Sequence, residues 1–98
     1  MSNPLHQQLE AALARRDRGI LSAAIHAWRR RKRGTISDFA KAIAERLGDE
    51  PRRVVSSACK WQNQTRFPSG IRRKAVLAEL SEALFTDPNR GADDGRQP

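Results

Sequence analysis

The sequence predicts an all-α fold of about five short helices, with a central pair joined by a tight turn. Apolar residues recur every three or four positions in five separate stretches. No segment shows the period-two alternation of a strand. Helix caps and stops punctuate the stretches at Asn3-Pro4, Gly19, Gly34-Thr35, Gly48, Asp49-Glu50-Pro51 and Ser69-Gly70. A length of 98 residues fits one small domain with short extensions.

The first helix is expected to start at Asn3 as cap with Pro4 in its first turn, and to run to about Asp17. Leu5, Leu9 and Leu13 form its stripe, and Gly19 breaks it. The second carries Ile20, Leu21, Ala24, Ile25 and Trp28 on one face. Its last turn is the run Arg29-Arg30-Arg31-Lys32-Arg33, where cations suit the negative end of the helix dipole, and Gly34 stops it. Thr35 and Asp38 have capping-box spacing. The third helix then presents Phe39, Ala40, Ile43, Ala44 and Leu47, and Gly48 ends it. The fourth turns Val54, Val55, Ala58 and Trp61 inward and Arg52, Arg53, Ser56, Ser57, Lys60 and Gln64 outward. The fifth, capped at Ser69, shows Ile71, Val76, Leu77, Leu80, Ala83, Leu84 and Phe85. In domain terms, residues 1–18 are read as an N-terminal helix, 19–85 as the main domain and 86–98 as a disordered tail of Asp, Asn, Gly, Gln and Pro.

Charge narrows the function. Lys and Arg total 19 against 11 acids, a net charge of +8. The cations concentrate in 29–33, at Arg52-Arg53 and at Arg72-Arg73-Lys74, which points to a polyanionic partner: DNA, RNA or an anionic membrane. The single cysteine, Cys59, excludes an intrachain disulfide and a cysteine zinc cluster, and suits a reducing cytoplasm. No apolar run reaches membrane-spanning length, and no secretory signal is evident. Membrane-surface binding fits poorly, because the basic run sits at a helix end rather than along a face.

The informative stretch is Ala40 to Ala58: helix, turn at Gly48, helix. Ile43-Ala44, Leu47-Gly48 and Val54 six residues past the glycine resemble the helix-turn-helix regulators of the phage repressor and Cro type. Arg31-Lys32-Arg33-Gly34-Thr35-Ile36-Ser37 resembles the approach to that motif, and Trp61, Asn63, Arg66 and Pro68 resemble the way out of its recognition helix. The resemblance spans roughly Ile20 to Phe85. It departs at Asp49 and Ser57, where the family has apolar residues, and in a recognition helix about one turn longer.

The resemblance implies a bacterial or phage-encoded transcriptional regulator, a repressor for instance, that lays residues 50–64 into the major groove of duplex DNA. Arg52, Arg53, Ser56, Ser57 and Lys60 are then the candidates for base contacts. Arg31, Arg33, Thr35, Ser37, Asn63, Gln64, Arg66, Arg72, Arg73 and Lys74 are the candidates for backbone contacts. A homodimer would use residues 71–85 or 4–17, although a small domain also needs those apolar stripes for its own core.

Other readings stand beside this one. Arg29 to Arg33 also reads as a solvated helix end, and Arg52 and Arg53 as partners of Asp49 and Glu50. Trp28 and Trp61 fall on apolar stripes and read as core. The chain has no Gly-rich phosphate loop, paired carboxylates or metal-ligand spacing, and His6, His26 and Cys59 stand apart, so no enzyme, cofactor or metal is expected. The alternatives in function are an RNA-binding module and a phage-type adaptor or inhibitor that turns the same shape toward another protein.

Overall fold

The computed structural model describes residues 4–85. Asn3 as a cap and the tail 86–98 lie outside the described residues. The described residues form five helices: α1 (Pro4–Ala14), α2 (Arg18–Lys32), α3 (Ile36–Leu47), α4 (Pro51–Gln62) and α5 (Gly70–Phe85). Among the described residues there is no strand.

Local chemistry fixes the helix ends. Asp17 caps α2 by accepting the Ile20 N–H at 3.0 Å, so α2 begins before Gly19, and the break lies one turn earlier than the sequence suggested. The reason is that an acidic side chain satisfies a free first-turn amide, whereas Gly19 has none to offer. The division expected between residues 18 and 19 thus falls inside the first turn of α2. At its other end Arg33, not Gly34, takes the left-handed conformation, with φ 52°. The Thr35–Asp38 capping box is present, with Thr35 N–H donating to Asp38 Oδ2 at 2.8 Å and Asp38 N–H to Thr35 Oγ1 at 3.2 Å. Gly48 closes α3 at φ 67°, a conformation that costs an L side chain about 1–2 kcal/mol. Pro51 occupies the first turn of α4, where a missing N–H costs nothing.

α2 is the one helix packed against each of the other four. Its Leu21, Ile25 and Trp28 enter a single core with Leu9 and Leu13 of α1, Phe39, Ile43 and Ala44 of α3, Val54 and Trp61 of α4, and Val76 and Leu80 of α5. α3 and α4 are the most closely packed pair. Ala40, Ala44 and Ala58 are completely buried, and their small side chains let two backbones approach. Both tryptophans are core, and Trp28 meets Phe39 edge-on at 5.2 Å. Three apolar residues read as inward face solvent instead: Leu5 is 51% exposed, Ile20 42% and Ile71 70%. Ile20 and Ile71 lie off the phase of the buried residues of α2 and α5, whereas Leu5 is in phase with Leu9 and Ala12 and is exposed in the first turn of α1. Of the leucine stripes considered for a dimer surface, Leu9, Leu13 and Leu80 are buried and Leu77 and Leu84 pack against the core, while Leu5 is exposed.

One polar junction supports this packing. Glu79 of α5 accepts the Trp28 indole N–H at 2.8 Å and the Arg46 Nε–H at 3.0 Å, joining α5 to α2 and α3. Arg46 also reaches Glu82 at 2.8 Å. That hydrogen bond is the main reason the Glu82 carboxyl lies below its ordinary pKa of 4.5.

Two outcomes check this account. Glu79→Ala strands the indole N–H of buried Trp28 and leaves Arg46 with Glu82 alone, and should lower unfolding stability by about 1–3 kcal/mol in urea titrations. Because Glu82 titrates lower in the folded chain, its contribution is present above the ordinary glutamate range and lost as pH falls below it. Glu82→Gln should therefore flatten the acid limb of a stability-against-pH curve, and an unchanged limb would refute the link.

Candidate functional site

α4 offers the clearest functional surface. Burying Val54, Ala58 and Trp61 on one side turns Arg52, Arg53, Ser56 and Lys60 to the opposite side by helical geometry alone, and all four are exposed. α4 leans on α2 and α3 but packs against neither α1 nor α5, so no other helix covers that face.

The two ends of α4 differ in charge. At the N-terminal end Arg52 Nε lies 2.8 Å from Glu50 Oε2, and Arg53 Nε lies 3.8 Å from Glu50 Oε2 and 3.9 Å from Asp49 Oδ1. Two acids thus balance two arginines. The pairs are open to water, with Arg52 and Arg53 side chains 80% and 66% exposed, so each is weakly held.

The C-terminal half is unbalanced. Lys60, Arg66 and Arg72 line a cleft of about 240 Å³ between α4 and the start of α5, with Ser57 and Ser69 beside them and no carboxylate among the described residues of its walls. Ser57 belongs to this cleft and not to the outward face. It is half-buried on the edge of α4 toward α5, and its Oγ accepts from Arg72 Nη1 at 3.0 Å. Gln64 turns the chain out of α4 at φ 64°, starting the loop that walls the cleft. Arg73 is half-buried, whereas Asn63, Gln64, Arg66 and Lys74 are exposed.

α2 and the start of α3 hold the remaining residues expected at a backbone. Arg31 and Arg33 are exposed at the C-terminal end of α2. Thr35 and Ser37 are exposed at the start of α3, but the Thr35 amide is already bonded to Asp38, whose carboxylate disfavours an anion there. Ser37 escapes that direct bond.

Three positioning residues escaped the sequence reading. Ser22 donates to the Gln62 carbonyl at 2.6 Å, Arg29 Nη1 to Gln62 Oε1 at 2.7 Å, and Arg18 Nη1 to the Gln64 carbonyl at 3.3 Å. Together they pin the C-terminal end of α4 to α2. A signal for Arg29 existed, since it shares the face of Ser22 and Ile25 at helical spacing and so differs in phase from the rest of the basic run. Among the described residues no group of three or more His, Cys, Asp or Glu is placed to hold a metal.

If the acids at the start of α4 only balance charge, removing one should barely affect folding. Glu50→Gln is expected to change unfolding stability by less than about 1 kcal/mol, and a larger loss would show that Glu50 has a structural role. No protein-family model, curated protein or solved structure matches the chain.

Proposed function

We propose that the chain binds duplex DNA in a sequence-dependent way, with α3 and α4 acting as a helix-turn-helix and α4 as its recognition helix. The observation that carries this reading is the uncovered outward face of α4, with Arg52, Arg53, Ser56 and Lys60 on one side of a helix whose other side is core. A helix presented this way fits the width of the major groove. Arginine pairs in bidentate fashion with guanine, and each good pairing is worth about 1–3 kcal/mol of discrimination. The weak pairs to Asp49 and Glu50 are readily exchanged for base edges. Lys60, expected at a base, lines the cleft, and in this reading it joins Arg66, Arg72, Arg73 and Lys74 in supplying the backbone attraction, with Arg31 and Arg33 as further contributors.

A regulator of the repressor kind is the biological role this suggests, and a chain that works inside the cell follows from the same reading. Among the described residues no helix is long and apolar enough to cross a membrane. Neutralising six phosphates would give a log–log salt slope of about −5.

Selection of bound duplexes from a random pool at physiological salt tests the reading. An enriched motif supports it, and two-fold symmetry in the motif would identify paired half-sites read by two copies. Retention of hairpin RNA without enriched DNA would replace it with the RNA-binding reading. Retention of neither would leave the protein-partner reading. Arg52→Ala with Arg53→Ala should abolish the enrichment while leaving the helical content unchanged. Arg73→Ala with Lys74→Ala should weaken all duplexes alike and reduce the salt slope by about 2. Equal loss across all sequences in the first variant would show that α4 does not read bases.

A further inference from the structure

The cleft between α4 and α5 differs from the other charged surfaces of the chain. The two helices do not pack against each other. The space between them is bridged by the Arg72–Ser57 hydrogen bond and walled by the loop that follows α4. Three cations from three places converge there: Lys60 from α4, Arg66 from the loop and Arg72 from the first turn of α5. Arg46, Arg52 and Arg53 form ion pairs with carboxylates elsewhere. Trp61 and Pro68 also line the cleft but are buried, so half-buried Phe67 is the aromatic side chain there with surface to offer.

We infer that this cleft is a seat for one sugar-phosphate unit, with the phosphate held by Lys60, Arg66 and Arg72 and the sugar resting on Phe67. The inference rests on the nucleic-acid reading only for the source of the phosphate. Its chemistry stands on the cleft. Arg72 reaches Ser57 through Nη1, which orients a guanidinium that carries five donors and leaves others for a ligand. Ser57 Oγ accepts that bond, so its own proton remains available to donate. The Ser69 hydroxyl adds a second neutral donor at the rim. The first amides of α5 lie at the same end, where the helix dipole favours an anion. Pockets for drug-sized ligands run to about 300–1,000 Å³, so 240 Å³ suits a smaller group such as a phosphate with its sugar. Phe67 gives a sugar face a place to lie while the charges face the phosphate.

The seat accepts a phosphate from a nucleic-acid backbone or from a free nucleotide, and the test separates the two. The full chain, labelled for amide NMR, is titrated with thymidine 5′-monophosphate, with thymidine, and with a short mixed-sequence duplex. The monophosphate should shift the amides of residues 69–72, thymidine should not, and the duplex should shift the same amides and displace the monophosphate. Lys60→Met, at an exposed position that leaves the core intact, and Arg66→Met should each weaken monophosphate binding about tenfold. Monophosphate binding without any duplex binding would keep the seat, assign it to a free nucleotide and overturn the duplex reading. Duplex binding that leaves residues 69–72 unshifted would overturn the seat and keep the duplex reading. Equal shifts from thymidine, or wild-type affinity in both variants, would also overturn it.

Discussion

The carboxylate of Glu79 closes the junction on which the placement of α4 depends. Its two oxygens take the Trp28 indole N–H and the Arg46 guanidinium, and its side chain is 12% exposed. A carboxylate so enclosed is tolerable only because each oxygen has a charged or polar donor. The three groups come from α5, α2 and α3, so their geometry fixes the mutual position of three helices. α4 rests its backbone on α2 and α3, and meets α5 through the Arg72–Ser57 hydrogen bond across the cleft. Whatever holds those two together therefore also holds the candidate reading helix. Ser22, Arg29 and Arg18 then anchor its far end to α2.

Charge is divided along the same lines. Glu79 and Glu82 meet Arg46 in the middle and later turns of α5, while Arg72, Arg73 and Lys74 occupy its first turns. On α4 the order is acid-balanced arginines first, then Lys60 beside the cationic cleft. A polyanion approaching this surface gains most of its attraction at the cleft and little at the start of α4. In the duplex reading, affinity and discrimination thus come from different ends of one helix. That separation lets the reading end be tested without removing the attraction that brings the duplex to the surface.

Sequence patterning made much of this legible. The Thr35–Asp38 box, the turn at Gly48, Pro51 and the buried triad Val54, Ala58 and Trp61 all follow from local chemistry and period. These features depend on residues within a few positions of one another. Ile20 and Ile71 misled because hydrophobicity marks a face only when the helical phase is known, and the residues buried further along each helix set that phase. The Glu79 junction and the Arg72–Ser57 bridge were not legible. The partners in them lie 51, 33 and 15 residues apart, and no local spacing relates them. The basic run at 29–33 concealed a second case, in which Arg29 alone faces Gln62 while its neighbours are exposed.

Asp49 shows how a departure from a resembled pattern can have its own cause. The repressor-like motif has an apolar residue after its glycine, and here an acid follows Gly48. Glu50 makes no side-chain cap for α4. Asp49 instead accepts the Glu50 amide at 2.7 Å, and its own amide closes back on the Ala44 carbonyl at 2.9 Å. It therefore organises the turn with hydrogen bonds where the resembled motif would use packing. The same carboxylate sits at the positive end of the α4 dipole and near Arg53, which lowers the attraction of this end for phosphate. A base edge can still compete, because a bidentate guanine contact offers two directed hydrogen bonds where a phosphate offers mainly charge. In the duplex reading, the acid that shapes the turn also makes the first turn of α4 less attractive to backbone and more dependent on sequence.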